Sequence, residues 1–216
     1  TYTGFYIYDK APPEFLTKEL IEICQHLPAS RKVGQGPHLL TGPIYVKNAK
    51  PGDVVEVRLE AISPRLSVGF NAIRSGWGAL PKKFTEARLR FIELDLKQNF
   101  AEFPKDSGIK IPLQPFFGIL GVATPESSRS SVPPGKYGGN IDNRELQAGS
   151  RLFLPIFVEG ALLSIGDGHS AQGDGEEDVT AIETSMNGTI RVELRKDLQL
   201  TSPIAETPTD IITMGF

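Results

Sequence analysis

Short segments in which apolar and charged residues alternate are the feature that most restricts the fold of this chain. Val54–Glu60, Ala87–Leu94 and Thr189–Leu194 alternate in this way, as strands with one buried face do. Arg151–Val158 is more continuously apolar, which predicts a strand buried on both faces. Turn-rich stretches separate these runs, and the 22 Gly and 17 Pro residues are scattered among them. The pattern predicts a mainly β fold of short strands and long Gly/Pro-rich loops.

One segment near the start has helical periodicity instead. Between Glu14 and Cys24, after a Pro-Pro pair, apolar residues recur at spacings of three and four. This spacing predicts a short N-terminal helix, and the stretch from Ser30 to Gly36 is polar and loop-like. We therefore divide the chain into an N-terminal helical and loop segment, residues 1–35, and a β-rich domain, residues 36–216.

Composition narrows the class of protein and its surroundings. A chain of 216 residues is long enough to bury a sizeable core, and its net charge of −3 argues against a nucleic-acid partner. No apolar run approaches the roughly 20 residues that span a bilayer, so we expect no membrane segment. Cys24 is the single cysteine, which excludes an internal disulfide and favours a reducing, cytoplasmic location.

The segment Gly166–Asp178 is the richest candidate for chemistry. It combines His169 with five carboxylates and four glycines, and Asp167, Asp174 and Glu176 are among those carboxylates. Asp and His in one loop can bind a divalent metal or form an acid–base pair. The alternative is a solvated acidic turn. The loop directly follows an apolar run and contains no lysine, and both features favour a functional site.

A second candidate, Asp142, lies between two asparagines after a double glycine. Asn140 precedes it in the same segment and is a candidate pocket residue. The alternative interpretation is an Asx-type turn that leads into the next strand. The residues alone leave these two interpretations open.

Two isolated residues are candidates for a substrate pocket. His38 stands just before a predicted strand and is bounded by helix-breaking residues, although a lone histidine of this kind is more often structural. Trp77 follows a Gly-rich segment and could line a pocket, although packing in the core or on the surface is its more common role. His26 follows the predicted helix and is expected to face solvent or cap the helix end.

Several enzyme classes have no support in the sequence. The chain contains no Gly-x-Ser-x-Gly elbow, no phosphate-binding Gly-rich loop and no dinucleotide fingerprint. Cys24 has no catalytic pattern beside it. Carboxylate–histidine chemistry with a metal is what remains for hydrolysis.

Four motifs, in chain order, resemble the signature segments of the acetamidase/formamidase family. Gly160–Glu176, which includes Gly-Asp-Gly-His and Ala-Gln-Gly-Asp-Gly-Glu, is the longest of them. The other three are Thr41–Val46 with Pro51–Val57, Gly138–Leu146, and Ala205–Thr209 with Ile212–Phe216.

The resemblance implies a β-rich homodimer or larger oligomer that hydrolyses a short amide, such as formamide or acetamide, to ammonia and a carboxylate. Asp142 and His169 would then be metal ligands or catalytic groups. A zinc-type ion would polarise the amide carbonyl and lower the pKa of a bound water toward about 7. Asp167, Asp174 or Glu176 would orient the histidine or serve as the general base.

The sequence also departs from the family pattern. A histidine-containing segment typical of the family's start is missing from the first 40 residues, and relatives continue beyond the strand that ends here at Phe216. Asp210 stands where many relatives have histidine. We therefore expect a chain that lacks the family's two terminal segments. Two alternatives follow: an inactive member that acts as a binding or structural domain, and a β-protein whose acidic loop binds calcium.

Overall fold

The computed structural model describes residues 11–13, 16–26, 36–126 and 128–216. Within these ranges the chain is mainly β, as predicted, with one α-helix, α1 (Lys18–His26). The strands are β1 (Leu40–Ile44), β2 (Val54–Pro64), β3 (Val68–Ile73), β4 (Arg88–Asp95), β5 (Phe100–Glu102), β6 (Lys110–Pro112), β7 (Phe116–Gly121), β8 (Gly138–Asn140), β9 (Arg151–Pro155), β10 (Leu163–His169), β11 (Met186–Arg195), β12 (Ile204–Glu206) and β13 (Ile211–Thr213).

The helix begins later than the periodicity predicted. Thr17 caps it, since its Oγ1 accepts a hydrogen bond from the amide of Leu20 at 3.1 Å, and Lys18 is therefore its first residue. Of the predicted segment, Glu14 and Phe15 lie outside the described residues, as does the polar stretch 30–35. The division of the chain at residue 35 stays a prediction. No helix among the described residues is long and apolar enough to cross a membrane.

The strands form three antiparallel sheets. Their orders are β1-β10-β7-β8, β11-β2-β9-β12-β13 and β3-β4-β5-β6. The alternating segments of the sequence became β2, β4 and β11, and the continuously apolar one became β9, in which Leu152, Phe153 and Leu154 are all buried. The predicted strands are therefore confirmed.

The main core joins the first two sheets. On β2 the alternate residues Val55, Val57 and Leu59 are buried, and they belong to one cluster with Leu120 of β7 and Leu163 of β10. The predicted face of β2 is therefore buried, but Val54 and Glu56 on its opposite face are fully buried as well. Because β7 and β10 also carry this core, the polar residues at their ends are held on a rigid support.

The segment after the acidic loop connects the first and third sheets. Glu183 forms isolated bridges with both Phe70 of β3 and His169 of β10. The amide of Glu183 donates to the Phe70 carbonyl at 2.8 Å, and the amide of Ser170 donates to the Ile182 carbonyl at 2.8 Å. The side chain of Glu183 is consequently fixed beside the end of β10.

Candidate functional site

Asp142 and His169 meet over the middle of β7, although they are far apart in sequence. His169 ends β10, where its backbone pairs with Phe116 of β7. Asp142 follows β8, and its amide donates to the Gly118 carbonyl at 3.1 Å. Ligand atoms of Asp142, Asp167 and His169 all lie within 4.8 Å of one another. The prediction that the two segments converge is confirmed.

Gly118 leaves the space in which these side chains meet. A Cβ at this position would overlap Asp142 Oδ1 and would lie 2.9 Å from His169 Cε1 and 3.0 Å from Asp167 Oδ2. A side chain at position 118 would therefore occupy the site itself. The sequence contained a signal for this, because an isolated glycine within an apolar strand often marks a close approach.

Glu183 is a member of the site that the sequence analysis missed. Its Oε1 lies 3.2 Å from His169 Nε2, and the residue is only 6% exposed. Ligand atoms of His169, Glu176 and Glu183 form a second group within 4.8 Å. The available signal was a carboxylate between Ile182 and Thr184 with no basic residue nearby in sequence. Carboxylates are almost never fully buried unless they are paired.

The imidazole of His169 is surrounded by carboxylates but is not hydrogen-bonded to them. Besides Glu183, its Nε2 lies 3.4 Å from Asp167 Oδ2 and 4.0 Å from Glu176 Oε1. Neither ring nitrogen has a partner with hydrogen-bond geometry among the described residues, and the same holds for Asp142 Oδ1 and Glu183 Oε2. Phe116 packs edge-on against the ring, with centroids 4.9 Å apart. The ring is thus held in place by packing, with its polar atoms unsatisfied.

His38 also faces Asp167. Its Nε2 lies 3.6 Å from Asp167 Oδ2, and its Nδ1 lies 2.6 Å from Ser131 Oγ. The side chain of His38 is 9% exposed. Of the three predicted pocket residues, His38 therefore reaches the cluster.

Burial and mutual repulsion shift the pKa values of the acidic residues upward. Burial raises the pKa of Asp142 to about 7, opposed by the charge of His169 and reinforced by that of Asp167. Burial and the neighbouring Asp142 raise the pKa of Glu176 to about 9. Burial likewise raises the pKa of Glu183. Three of the four carboxylates thus resist ionisation because the cluster lacks enough positive charge.

The remaining groups pair with one another. Burial opposes ionisation of Asp167, but its interaction with His169 outweighs this and lowers its pKa to about 2. Burial would lower the pKa of His169, yet the charges of Glu183 and Asp167 raise it well above 6.5. Burial lowers the pKa of His38 to about 4 despite the nearby Asp167. Asp167 and His169 therefore form the ion pair at the centre of the cluster.

Three predicted residues have other surroundings. Asp174 is 90% exposed and pairs with Arg144 at 2.9 Å, outside the cluster. Trp77 is 52% exposed and lines a separate cavity with Leu80 and Phe84, because its loop packs on the backbone of the acidic loop and not on the cluster. Asn140 lies next to the site on β8, and its buried Oδ1 has no partner among the described residues.

A cavity of about 400 Å³ opens beside Asp142. Gln172 and Arg144 line it as well, and the Gln172 side-chain amide donates to the Asp142 carbonyl at 2.7 Å. This hydrogen bond ties the acidic loop to the turn that carries Asp142. A small molecule in the cavity would approach the cluster from the side of Asp142.

The fold and the cluster define an antiparallel β-protein with a buried histidine–carboxylate site whose ligand atoms lie close enough together to accommodate a metal ion. A sequence profile of the Acetamidase/Formamidase family matches residues 33–129 and 125–211. The chain belongs to this family.

Individual relatives agree with the family assignment. A formamidase from Methylophilus methylotrophus is 29% identical, over 74% of this chain and 52% of its own length. Solved acetamidases from Bacillus halodurans and Yersinia enterocolitica superpose with TM-scores of 0.73 and 0.71, at 31% and 32% identity. The alignments cover 78% and 79% of this chain and 55% and 54% of those structures. The chain thus spans about half the length of the relatives it matches.

Proposed function

We propose that the protein hydrolyses a short-chain amide, of the formamide or acetamide type, to ammonia and a carboxylate at the cluster of Asp142, Asp167, His169, Glu176 and Glu183. The observation that carries this proposal is the convergence of three carboxylates on one imidazole nitrogen without hydrogen-bond geometry. The family assignment supplies the substrate class, and the adjoining 400 Å³ cavity is suited to a small ligand.

The residues fit a divalent cation. Buried polar groups are normally hydrogen-bonded, so the unpartnered Asp142 Oδ1, His169 Nε2 and Glu183 Oε2 call for an explanation. A cation in either of the two ligand groups that meet at His169, one with Asp142 and Asp167 and one with Glu176 and Glu183, would supply it. The raised pKa values of Asp142, Glu176 and Glu183 favour the same explanation, because a cation supplies the charge that protons otherwise provide. One imidazole with several carboxylates suits zinc, and the excess of oxygen donors also suits calcium.

Asp142 and His169 would hold the ion, with Asp167, Glu176 and Glu183 as the further donors available. When bound, a zinc-type ion polarises an amide carbonyl and lowers the pKa of a coordinated water.

Glu176 is the best candidate for proton transfer. Asp174 pairs with Arg144 in solvent, and Asp167 is held ionised by His169. Glu176 is 15% exposed, compared with 7% for Glu183, so it can exchange protons at the edge of the cluster. A bound cation would offset the burial and the Asp142 charge that raise its pKa, and its carboxylate would then be able to accept a proton. We assign to it the transfer of a proton from the attacking water to the departing amide nitrogen. Hydrolysis is then balanced, because water supplies both the acyl hydroxyl and the proton that ammonia carries away.

The neighbouring side chains position these groups. The edge of the Phe116 ring fixes the plane of His169, and the Gln172 side chain holds the turn of Asp142. Glu176 has a positive φ of 44°, which is strained for a residue with a side chain, and the Gly175 before it has a φ of 78°. This local conformation turns the Glu176 carboxylate toward His169. The family resemblance favours a homodimer or larger oligomer, and the single cysteine favours a cytoplasmic location.

Release of ammonia from formamide and acetamide tests the proposal, combined with metal analysis of the purified protein. We expect His169→Ala to abolish turnover while the protein stays folded. His26→Ala is the matched control, because His26 lies on α1 and contacts the Glu22 carbonyl instead of the cluster. Normal turnover in His169→Ala would remove this residue from the mechanism. Bound calcium without turnover would favour a structural calcium site, and absence of both metal and turnover would favour an inactive family member.

A further inference from the structure

A chain of polar contacts extends from the cluster to a serine that the mechanism above does not use. Ser131 Oγ lies 2.6 Å from His38 Nδ1, and His38 Nε2 lies 3.6 Å from Asp167 Oδ2. The same Asp167 oxygen is 3.4 Å from His169 Nε2. Ser131 is therefore connected to the central ion pair through a single imidazole. The contact joins residues 93 positions apart, so it is a product of the tertiary fold.

The chemistry of these groups determines which nitrogen of His38 carries the proton. A carboxylate offers acceptors to a neighbouring N–H, so the approach of Asp167 Oδ2 to Nε2 at 3.6 Å favours the ring form that carries its proton on Nε2. In that form Nδ1 is an acceptor, and the Ser131 hydroxyl donates to it at 2.6 Å. Ser131 thus holds the ring of His38 in the orientation that presents Nε2 to Asp167.

The two residues at the ends of this series of contacts, Ser131 and Asp167, are closely packed. Gly36 has a φ of +108°, and a Cβ at this position would overlap Ser131 Oγ, so the hydroxyl is pressed against the Gly36 backbone. Asp167 is 6% exposed and has a positive φ of 58°. Because Asp167 also faces His169, the orientation of its carboxylate affects the geometry of the whole cluster.

We propose that Ser131 is a positioning residue that acts through His38 on the carboxylate of Asp167. This role rests on the proposed amide hydrolysis, and it predicts an effect on turnover more than on substrate binding. Partners of this outer kind fix ring orientation and tautomer at histidine–carboxylate sites, and their loss typically costs about 10- to 100-fold in activity.

Ser131→Ala tests the role, with Ser131→Thr as the variant that restores a hydroxyl and Ser130→Ala as the neighbouring control. Ser130 accepts a hydrogen bond only from the nearby Val132 amide at 3.2 Å, among the contacts described. We expect Ser131→Ala to lower kcat for formamide about 10-fold with KM changed less than about 2-fold. Ser131→Thr should recover most of the loss, and Ser130→Ala should behave as the unmodified protein.

Nitrogen-15 spectra of histidine-labelled protein give a second readout that does not depend on activity. The chain has three histidines. We expect His38 to show a protonated Nε2 and an acceptor Nδ1, and Ser131→Ala to shift the Nδ1 resonance because its hydrogen-bond donor is lost. In neutral His26 the pattern should be reversed, because its Nδ1 faces a backbone carbonyl at 3.0 Å.

The two readouts separate failure of this inference from failure of the proposed function. An unchanged His38 Nδ1 resonance or an unchanged kcat in Ser131→Ala would overturn the role of Ser131. Loss of KM and kcat in parallel without recovery in Ser131→Thr would do the same, because it would indicate structural damage. If the unmodified protein does not hydrolyse amides, the proposed function fails, and the nitrogen-15 spectra still decide whether Ser131 controls His38.

Discussion

Replacement of Gly118 by alanine is the sharpest test of the site, because it adds one methyl group at the point where the cluster meets. The added Cβ would lie 2.9 Å from His169 Cε1 and 3.0 Å from Asp167 Oδ2, and it would overlap Asp142 Oδ1. Ordinary contacts of a Cβ begin at 3.4 Å. His169 must therefore recede by about 0.5 Å, from 2.9 to 3.4 Å, and Asp142 by more.

The displacement predicts a large loss of function and a moderate loss of stability. Active-site groups must be held within about 0.5 Å of their productive positions, and a misplacement of about 1 Å can cost about 100-fold in rate. We expect amide turnover, and the affinity for zinc or calcium, to fall about 10- to 100-fold. Overpacking of this kind typically lowers the free energy of unfolding by about 1–3 kcal/mol.

The assay combines ammonia release, calorimetric titration with zinc or calcium, and urea denaturation. Gly188→Ala is the matched control, because a Cβ there would lie 2.6 Å from the Phe117 ring but does not meet the cluster. It should lose stability to a similar degree and keep metal affinity and turnover. If Gly118→Ala kept both its metal affinity and its amide turnover within about 2-fold, the cluster would not be the functional site. Equal losses of activity in the two variants would assign the effect to general overpacking.

Three further predictions concern charge. Glu56 is fully buried and contacts Arg58 at 2.8 Å and Arg195 at 2.6 Å, with Arg151 at 3.5 Å. Glu56→Gln should lower the free energy of unfolding at pH 7 by about 2 kcal/mol. This is less than the roughly 3–5 kcal/mol lost when a fully buried ion pair is broken, because the three arginine side chains are 29–40% exposed. Because the pKa of Glu56 is lowered from 4.5, this difference should shrink in urea titrations as the pH falls below 4.5, and a constant difference would contradict the assignment. In protein treated with EDTA, the raised pKa values of Asp142 and Glu176 mean that the folded state holds more protons than the unfolded state, so stability should decrease as the pH rises from 5 to 9. Added zinc or calcium should remove this slope in thermal denaturation, and a slope that persists would argue against a cation there. Asp174→Asn should leave ammonia release within about 2-fold, since its exposed pair with Arg144 lies outside the cluster, and a 10-fold loss would return Asp174 to the mechanism.

The sequence predicted the elements whose pattern depends on burial alone. Val54–Glu60 alternates because one face of β2 lies in the apolar core, while Glu56 on the other face is buried among arginines. β9 is continuously apolar because both its faces are covered. On β9 the second face is covered by charged side chains, since the Arg151 and Arg195 guanidinium groups lie 5.8 and 6.0 Å from the Phe153 ring centre. The spacing of apolar residues therefore identified the strands, but it did not show which side chains pack against them.

The sequence pointed to the residues of the site that lie in distinctive motifs, and it missed Glu183, which does not. Asp142 and His169 stand in glycine-rich segments of unusual composition, and the resemblance to a family pointed to both. Glu183 comes from a segment without such a signal, and it enters the site because its backbone bridges β3 and β10. Trp77 lines a cavity away from the cluster, because a tryptophan near glycines does not show which side of a loop it faces.

The protein contains two clusters of buried carboxylates, and the negative charge of each cluster is balanced differently. Around Glu56 the chain supplies its own cations, three arginines for one buried carboxylate. Around His169 it places four carboxylates against two imidazoles, and Gly118 leaves open the space that a core side chain would fill. A fold that can pair buried charge so fully on one sheet does not need an unpaired cluster on another for its stability. The deficit of positive charge beside the cavity is therefore the observation that supports the proposed cation.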